Sequence, residues 1–299
     1  MMVKALCIGR RFEELLERSR VRITVHSVFE RTVNLMAAGE LYTVAERDCG
    51  MSASCVRIDA SAGSFARLVQ REDRVIRRRS EKVVEIGGLW VDYGGAARYR
   101  DERADSACCD LLKEPRDLGR FLAELLQEEL GKRGYTDCLH SIPVDFNEIR
   151  RELAALLDGR DPAGRKETAE RLVLRLIGTG AGLTPGGDDF LVGVLMILGE
   201  FRQFRETRRI LGEVILQECH KTTSVSRAML KNTIAMEYFE YHSDLISGLR
   251  EGQREGIAKA VRRAASLGAT SGCDLLAGVS AALQIAASAV SAAPASTGI

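Results

Sequence analysis

Residues 21–29 read VRITVHSVF and residues 118–130 read LGRFLAELLQEEL, and the change of period between these stretches decides the fold. In the first, apolar and polar residues alternate, as on a half-buried strand. In the second, Leu118, Phe121, Leu122, Leu125 and Leu126 recur at helical spacing, and Gly131 follows as a stop signal. Further strand-like runs cover residues 33–36, 41–45, 55–58, 82–86 and 89–93, the last following Gly87-Gly88. Short strands so spaced predict a small antiparallel sheet or barrel. Helical patterns cover residues 163–177, 190–205, 206–219, 224–241, 244–249, 253–267 and 274–290. The expected architecture is α+β: an N-terminal antiparallel β-rich domain over residues 1–112, packed on an all-helical C-terminal domain over residues 113–299 that carries Gly-rich loops.

Composition narrows the function. The chain has 299 residues, 45% hydrophobic and 28% charged, with 43 Lys+Arg against 42 Asp+Glu. A polyanion binder driven by bulk basicity needs a cationic excess, so no nucleic-acid partner is expected. A disordered chain would be poorer in apolar residues and far from neutral. Only 5% of residues are aromatic, which predicts an aliphatic, alanine-rich core suited to close-packed helices. The first twenty residues lack the apolar run of a secretory signal, being interrupted by Arg10, Arg11, Glu13 and Glu14. Residues 275–294 are long enough to span a bilayer but consist largely of Ala and Ser around Gln284, so a buried helix and no membrane partner are expected. The eight cysteines form no CxxC pair, and Cys108 adjoins Cys109, which predicts reduced thiols and a cytoplasmic protein. Arg71, Arg74, Arg77, Arg78 and Arg79 make a basic patch, readable as an anion site or, more simply, as a solvated edge.

The stretch richest in chemistry is GTGAGLTPGGDD, residues 178–189, set between two helical segments. Glycines let the backbone adopt positive φ and approach a ligand closely, and the following helix would direct N–H groups and its positive dipole end into the loop. An anion site built from Gly182, Thr184, Gly186 and Gly187 is therefore expected. No Gly-Lys-Ser/Thr follows, so this is no Walker loop, and Leu183 stands where a third dinucleotide-binding glycine would be. Neighbouring residues on a helix point about 100° apart. One of Asp188 and Asp189 is thus expected to cap, and the other to reach the site as general base or metal ligand. The alternative is that both only cap.

A second copy of the pattern appears in GATSGCDLLAGV, residues 268–279, against GLTPGGDDFLVGV, residues 182–194. Each runs Gly-x-Thr-Pro/Ser-Gly-x-Asp into an apolar helix with a glycine four residues beyond an aspartate, the copies differing by one residue in spacing. Two such loops predict two jaws on one ligand, adding Thr270, Ser271, Gly272 and Asp274 to the site. Between them, Ser224 and Ser226 enter another helix, and Arg227 offers a bidentate donor to an anion. Asp188, Asp189 and Asp274 would hold a metal, Mg²⁺ or Mn²⁺; no organic cofactor is expected. Cys273 is a weaker candidate nucleophile, and the four histidines show no metal-ligand spacing.

At these residues the sequence resembles a bacterial family that includes a subunit of the three-subunit oxamate carbamoyltransferase of anaerobic allantoin breakdown. GLTPGGDDFLVGVL at 182–195, TTSVSRAML at 222–230 and GATSGCDLLAGV at 268–279 carry the resemblance, with VHSVFERTVNL at 25–35 a looser match. It implies carbamoyl transfer between phosphate and oxamate, giving or consuming oxalurate, in a chain that works with partner subunits on small anionic substrates. Asp188, Asp189 and Arg227 would be its catalytic residues. The sequence departs from the family at Gly186, often Ser there, and at Ala269, often His, which implies altered specificity or reduced activity if that His takes part. Two other readings stand beside it: a non-catalytic metabolite- or nucleotide-binding scaffold, and a helical regulatory module whose loops serve packing alone.

Overall fold

The alternation noted above does form strands, and the strands curl into an almost closed barrel. The computed structural model describes residues 1–60, 65–100, 115–132, 145–158, 162–268 and 270–292. It divides into one unit of Met1–Asp105 with Glu237–Glu240, and another of Ser106–Met236 with Tyr241–Ile299. The expected boundary at 112/113 lies outside the described residues, as do Cys108, Cys109, His140 and Ala269. The cysteines that are described, among them Cys55 and Cys273, are free thiols.

The first unit holds β1 (Met2–Gly9), α1 (Arg10–Glu17), β2 (Ile23–Val28), β3 (Thr32–Ala37), β4 (Glu40–Ala45), β5 (Cys55–Ile58), α2 (Phe65–Leu68), β6 (Val75–Arg78), β7 (Val83–Ile86), β8 (Leu89–Asp92) and β9 (Ala97–Tyr99). The strands run in the order β2-β3-β4-β5-β1-β8-β7-β6, with β9 also paired to β1. The two ends nearly meet: Thr24 bridges Arg74, and the Glu72 N–H donates to the Val25 carbonyl at 2.9 Å. Most pairs are antiparallel, as expected, but β1 runs parallel to β8 and β9, and β4 parallel to β5. The amphipathic α1 buries Phe12, Leu15 and Leu16 in the core with Leu35, Ile58 and Ile86.

Neither β1 nor β6 is among the expected strands. The end of β1 runs through two half-buried residues, Leu6 and Cys7, into two buried ones, Ile8 and Gly9, so alternation fades there. β6 is hidden in the arginine patch, two of whose members hold the end of α1. Arg77 donates to the carbonyls of Leu15, Arg18 and Val21, and Arg79 to that of Leu16 at 3.1 Å. These cations close the last turn of α1, where carbonyls lack intrahelical partners. Glu237–Glu240 adds three ion pairs to this unit, Arg10–Glu237 at 3.3 Å, Arg11–Glu237 at 2.9 Å and Arg57–Glu240 at 2.5 Å.

The second unit is helical: α3 (Pro115–Lys132), α4 (Phe146–Asp158), α5 (Pro162–Leu176), α6 (Gly186–Leu198), α7 (Arg205–Glu218), α8 (Ser224–Ile234), α9 (Glu240–Glu251), α10 (Arg254–Ala265) and α11 (Ser271–Ala292). Every residue of α6 is buried, which makes it the central helix. Residues 271–289 of α11 have the length and hydropathy (1.3) to cross a membrane, but 78% of that window is buried inside the unit. The expected helices omit α4, although Ile149, Leu153, Leu156 and Leu157 give it a buried stripe.

Two reciprocal contacts bring α6 and α11 together. A Cβ on Gly193 would fall far inside van der Waals distance of the Leu275 carbonyl oxygen, and one on Gly278 equally close to that of Phe190. Phe190 and Leu275 stand at the same place in the two sequence copies, three residues before those glycines. The crossing is therefore locally two-fold: each helix offers a bare glycine to the other's backbone. In an exposed helix Gly→Ala gains about 1 kcal/mol. Here Gly193→Ala is expected to destabilise the protein by at least about 2 kcal/mol through overpacking, read from urea unfolding. A neutral or stabilising result would mean that the helices do not approach so closely.

Candidate functional site

The two-fold relation extends outward from the crossing to the starts of both helices. Gly187 lies against the Leu176 carbonyl at the end of α5, and Gly272 against the Ala264 carbonyl of α10, each too near for a Cβ. The N–H groups of Asp188 and Asp189 donate to the Pro185 carbonyl, at 2.9 and 3.2 Å, and those of Cys273 and Asp274 to the Thr270 carbonyl, at 2.8 and 3.0 Å. The Gly187 N–H donates to the Thr179 carbonyl at 2.9 Å, and that of Gly272 to the Leu267 carbonyl at 3.2 Å. From Pro185 and Thr270 onward the copies match without a gap, and they differ in the length of the preceding loop.

That pairing places Asp189 and Asp274 on corresponding positions of two crossing helices, 1% and 2% exposed. Ser271 Oγ donates to Asp189 Oδ2 at 2.6 Å, and Thr184 Oγ1 donates to Ser271 Oγ at 3.2 Å. Burial pushes the Asp189 carboxyl up to about 8; the nearby Asp274 and Asp188 charges push the same way, against the hydrogen bonds from Ser271 and Thr184. Asp189 is thus protonated over much of the neutral range. Ser271 and Thr184 are themselves half-buried, so a chain of hydroxyls connects this proton to the surface.

Asp188 does a different job. The N-terminus of α6 has Pro185 at its cap position and no side-chain cap, so neither aspartate caps the helix. Asp188 instead accepts from the Gly178 N–H at 2.9 Å and from the Thr222 hydroxyl, tying the loop to the entry of α8. Burial raises its pKa, opposed by the hydrogen bonds of Thr222, Gly178 and Ser226. Gly178, Gly180 and Gly182 take φ of +69°, +121° and +92°, the left-handed region that glycine enters without strain. Leu183, 46% exposed, offers its carbonyl to the Thr223 hydroxyl at 2.5 Å.

At α8, Thr223 is the cap, accepting from the Ser226 N–H at 3.1 Å, and Ser224 is the first helical residue. Arg227 turns back, its Nε donating to the Cys219 carbonyl at 2.9 Å and its Nη2 toward the Thr222 carbonyl at 3.4 Å. It thereby ties down the turn between α7 and α8. Among the described residues no three His, Cys, Asp or Glu side chains are arranged to hold a metal ion. The structure thus brings together Thr184, Asp189, Ser271 and Asp274, and separately Asp188, Thr222 and Ser226. Thr222 and Thr223 are the contributors that the expected site left out, although they begin the same hydroxyl-rich stretch as Ser224 and Ser226.

Residues 176–283, which span both loops and the crossing, match the family model described as oxamate carbamoyltransferase subunit AllH. Residues 4–98 match the AllH family N-terminal domain. The chain belongs to the AllH family. No curated protein and no solved structure matches it. The AllH subunit match thus begins at the α5 carbonyl under Gly187 and ends within α11, enclosing the two-fold arrangement.

The raised Asp189 pKa has a thermodynamic consequence. Its value of about 8 lies above the 3.8 of an unperturbed aspartate, so the folded state holds this proton more tightly than the unfolded one. The associated stability is fully present below about pH 4 and is lost as pH rises through about 8. Over that window the slope reaches about 1.4 kcal/mol per pH unit for one group. Asp189→Asn, which cannot titrate, is expected to flatten the decline in urea-unfolding free energy between pH 5 and 8. An unchanged slope would place the titration elsewhere.

Proposed function

We propose that this chain is a subunit of an oxamate carbamoyltransferase-like enzyme, handling small anions at the paired loops together with partner subunits. The observation that carries the reading is the coincidence of the AllH match with the Asp189–Ser271–Thr184 cluster. In the direction that consumes oxalurate, a phosphate oxygen attacks the carbamoyl carbon, the C–N bond breaks, and the departing oxamate nitrogen needs a proton. A carboxyl protonated near neutral pH is suited to supply it, because a general acid works best with a pKa near the operating pH. In the reverse direction Asp189 takes the proton back as oxamate attacks carbamoyl phosphate. Ser271 and Thr184 would exchange that proton with solvent and orient the carboxyl.

The anion contacts in this proposal come from the Thr270 hydroxyl and the backbone at Gly182, since the Thr184 and Ser271 hydroxyls donate to Ser271 and Asp189. The N–H groups of Gly187, Asp188 and Asp189 already serve backbone carbonyls. Asp188 and Arg227 act as positioning residues. The second reading, a binding subunit whose partners perform the chemistry, is favoured by the near-complete burial of Asp189 and Asp274.

The readings separate in one assay. The chain, reconstituted with its partner subunits, is tested for phosphate-dependent cleavage of oxalurate and for phosphate release from carbamoyl phosphate with oxamate. Asp189→Asn is expected to lower kcat by about 100-fold or more, as removal of a general acid does, with complex assembly intact by size exclusion. Full activity in that variant would sink the catalytic assignment. A raised KM at unchanged kcat would instead support the binding subunit.

A further inference from the structure

A cavity lies in the helical unit where the ends of α6 and α8 meet α7, with a volume of about 330 Å³. Its walls are largely apolar, formed by Leu198, Phe201, Leu216, Ile234 and Met236. Three arginines and Glu213 of α7 also line it, and the arginines differ in their partners. Arg208 donates to the Leu195 carbonyl at 3.2 Å and to the Thr233 carbonyl at 2.7 Å, closing the last turns of α6 and α8. Arg209 is held between Glu206 and Glu213. Arg205 is exposed and forms no ion pair among the described residues. As the first residue of α7, it also stands at the positive end of a helix dipole.

The cavity is of the size that takes small organic ligands, and such sites combine apolar walls with a few placed polar groups. Leu216 is 43% exposed at its rim. Met236 holds φ +61°, an uncommon conformation for a non-glycine residue that persists where the surroundings impose it. We propose that this cavity is a binding site for a small amphipathic carboxylate. The apolar body enters between Phe201, Ile234 and Met236, and the carboxylate pairs with Arg205 at the mouth. Phosphate and oxamate lack the apolar body, so this site is distinct from the paired loops and does not depend on their assignment.

Phenylacetate and hexanoate, titrated into the full chain by calorimetry and followed by ligand-observed NMR, test the proposal. Saturable one-to-one binding is expected, with Kd on the order of 0.1–1 mM for ligands of this size, and inorganic phosphate should not compete. Arg205→Ala should weaken binding at least tenfold. Gly212→Leu should abolish it, because a side chain there starts 3.4 Å from Ile234 Cγ2 and extends along the cavity wall. Gly212→Ala serves as the folding control and should retain binding, with circular dichroism matching the parent in all three variants. Absence of saturable binding in the parent chain, or binding unmoved by both Arg205→Ala and Gly212→Leu, would overturn the proposal. So would loss of probe binding when partner subunits are added, since the cavity would then be a protein-docking pocket.

Discussion

The helical unit depends on the backbone-to-backbone approach of α6 and α11. Gly193 meets the Leu275 carbonyl and Gly278 meets the Phe190 carbonyl, so no side chain separates the helices at their crossing. Close approach of this kind increases dispersion contact along both helices and leaves no room for compensating shifts. It also sets the positions of the residues immediately before Phe190 and Leu275. Those residues are Asp189 and Asp274, and the crossing leaves them almost no access to water. Two carboxyls so placed cannot both ionise cheaply, because burial and like charge each disfavour the anion. The structure's response is a proton on Asp189 and a hydroxyl donor from the opposite helix, Ser271.

The local two-fold symmetry is incomplete, and its departures coincide with the polar chemistry. Ser271 corresponds to Gly186, so only one side of the pair carries this hydroxyl. Asp188 corresponds to Cys273, so only one loop is tied by a carboxylate, to Gly178 and Thr222. The longer first loop, with its three left-handed glycines, folds toward α8, where Thr223 binds the Leu183 carbonyl. Two similar helix starts thus carry one acidic centre with a single hydroxyl outlet. This asymmetry gives the proposed proton donor one titrating group, one route and one orientation.

Much of the fold was legible in the sequence, because alternation and helical period act locally. β3, β4, β5, β7 and β8, with most of the helices, fall where the pattern puts them. β1 was not legible because its buried end loses alternation, and β6 because arginines that cap α1 mimic a solvated edge. The start of α6 was obscured for a related reason. Gly186-Gly187 reads as loop by propensity, yet Gly187 is required inside the helix by the carbonyl of Leu176. In the site, the repeated pattern pointed to Asp188, Asp189 and Asp274 together, and the structure sets Asp189 and Asp274 at corresponding positions while Asp188 turns to Gly178 and Thr222. Arg227 is seen tying down the carbonyls of the preceding turn, and nothing in a sequence distinguishes such a guanidinium from one awaiting an anion.

The account rests on a carboxyl at the helix crossing that keeps its proton into the neutral range. The most direct measurement is a ¹³C NMR titration of aspartate side-chain carboxyls in the full chain, with resonances assigned through Asp189→Asn and Asp274→Asn. A midpoint near 8 for Asp189, displaced downward when Asp274 is replaced, is the predicted result. A midpoint near 4, indifferent to Asp274, would contradict it.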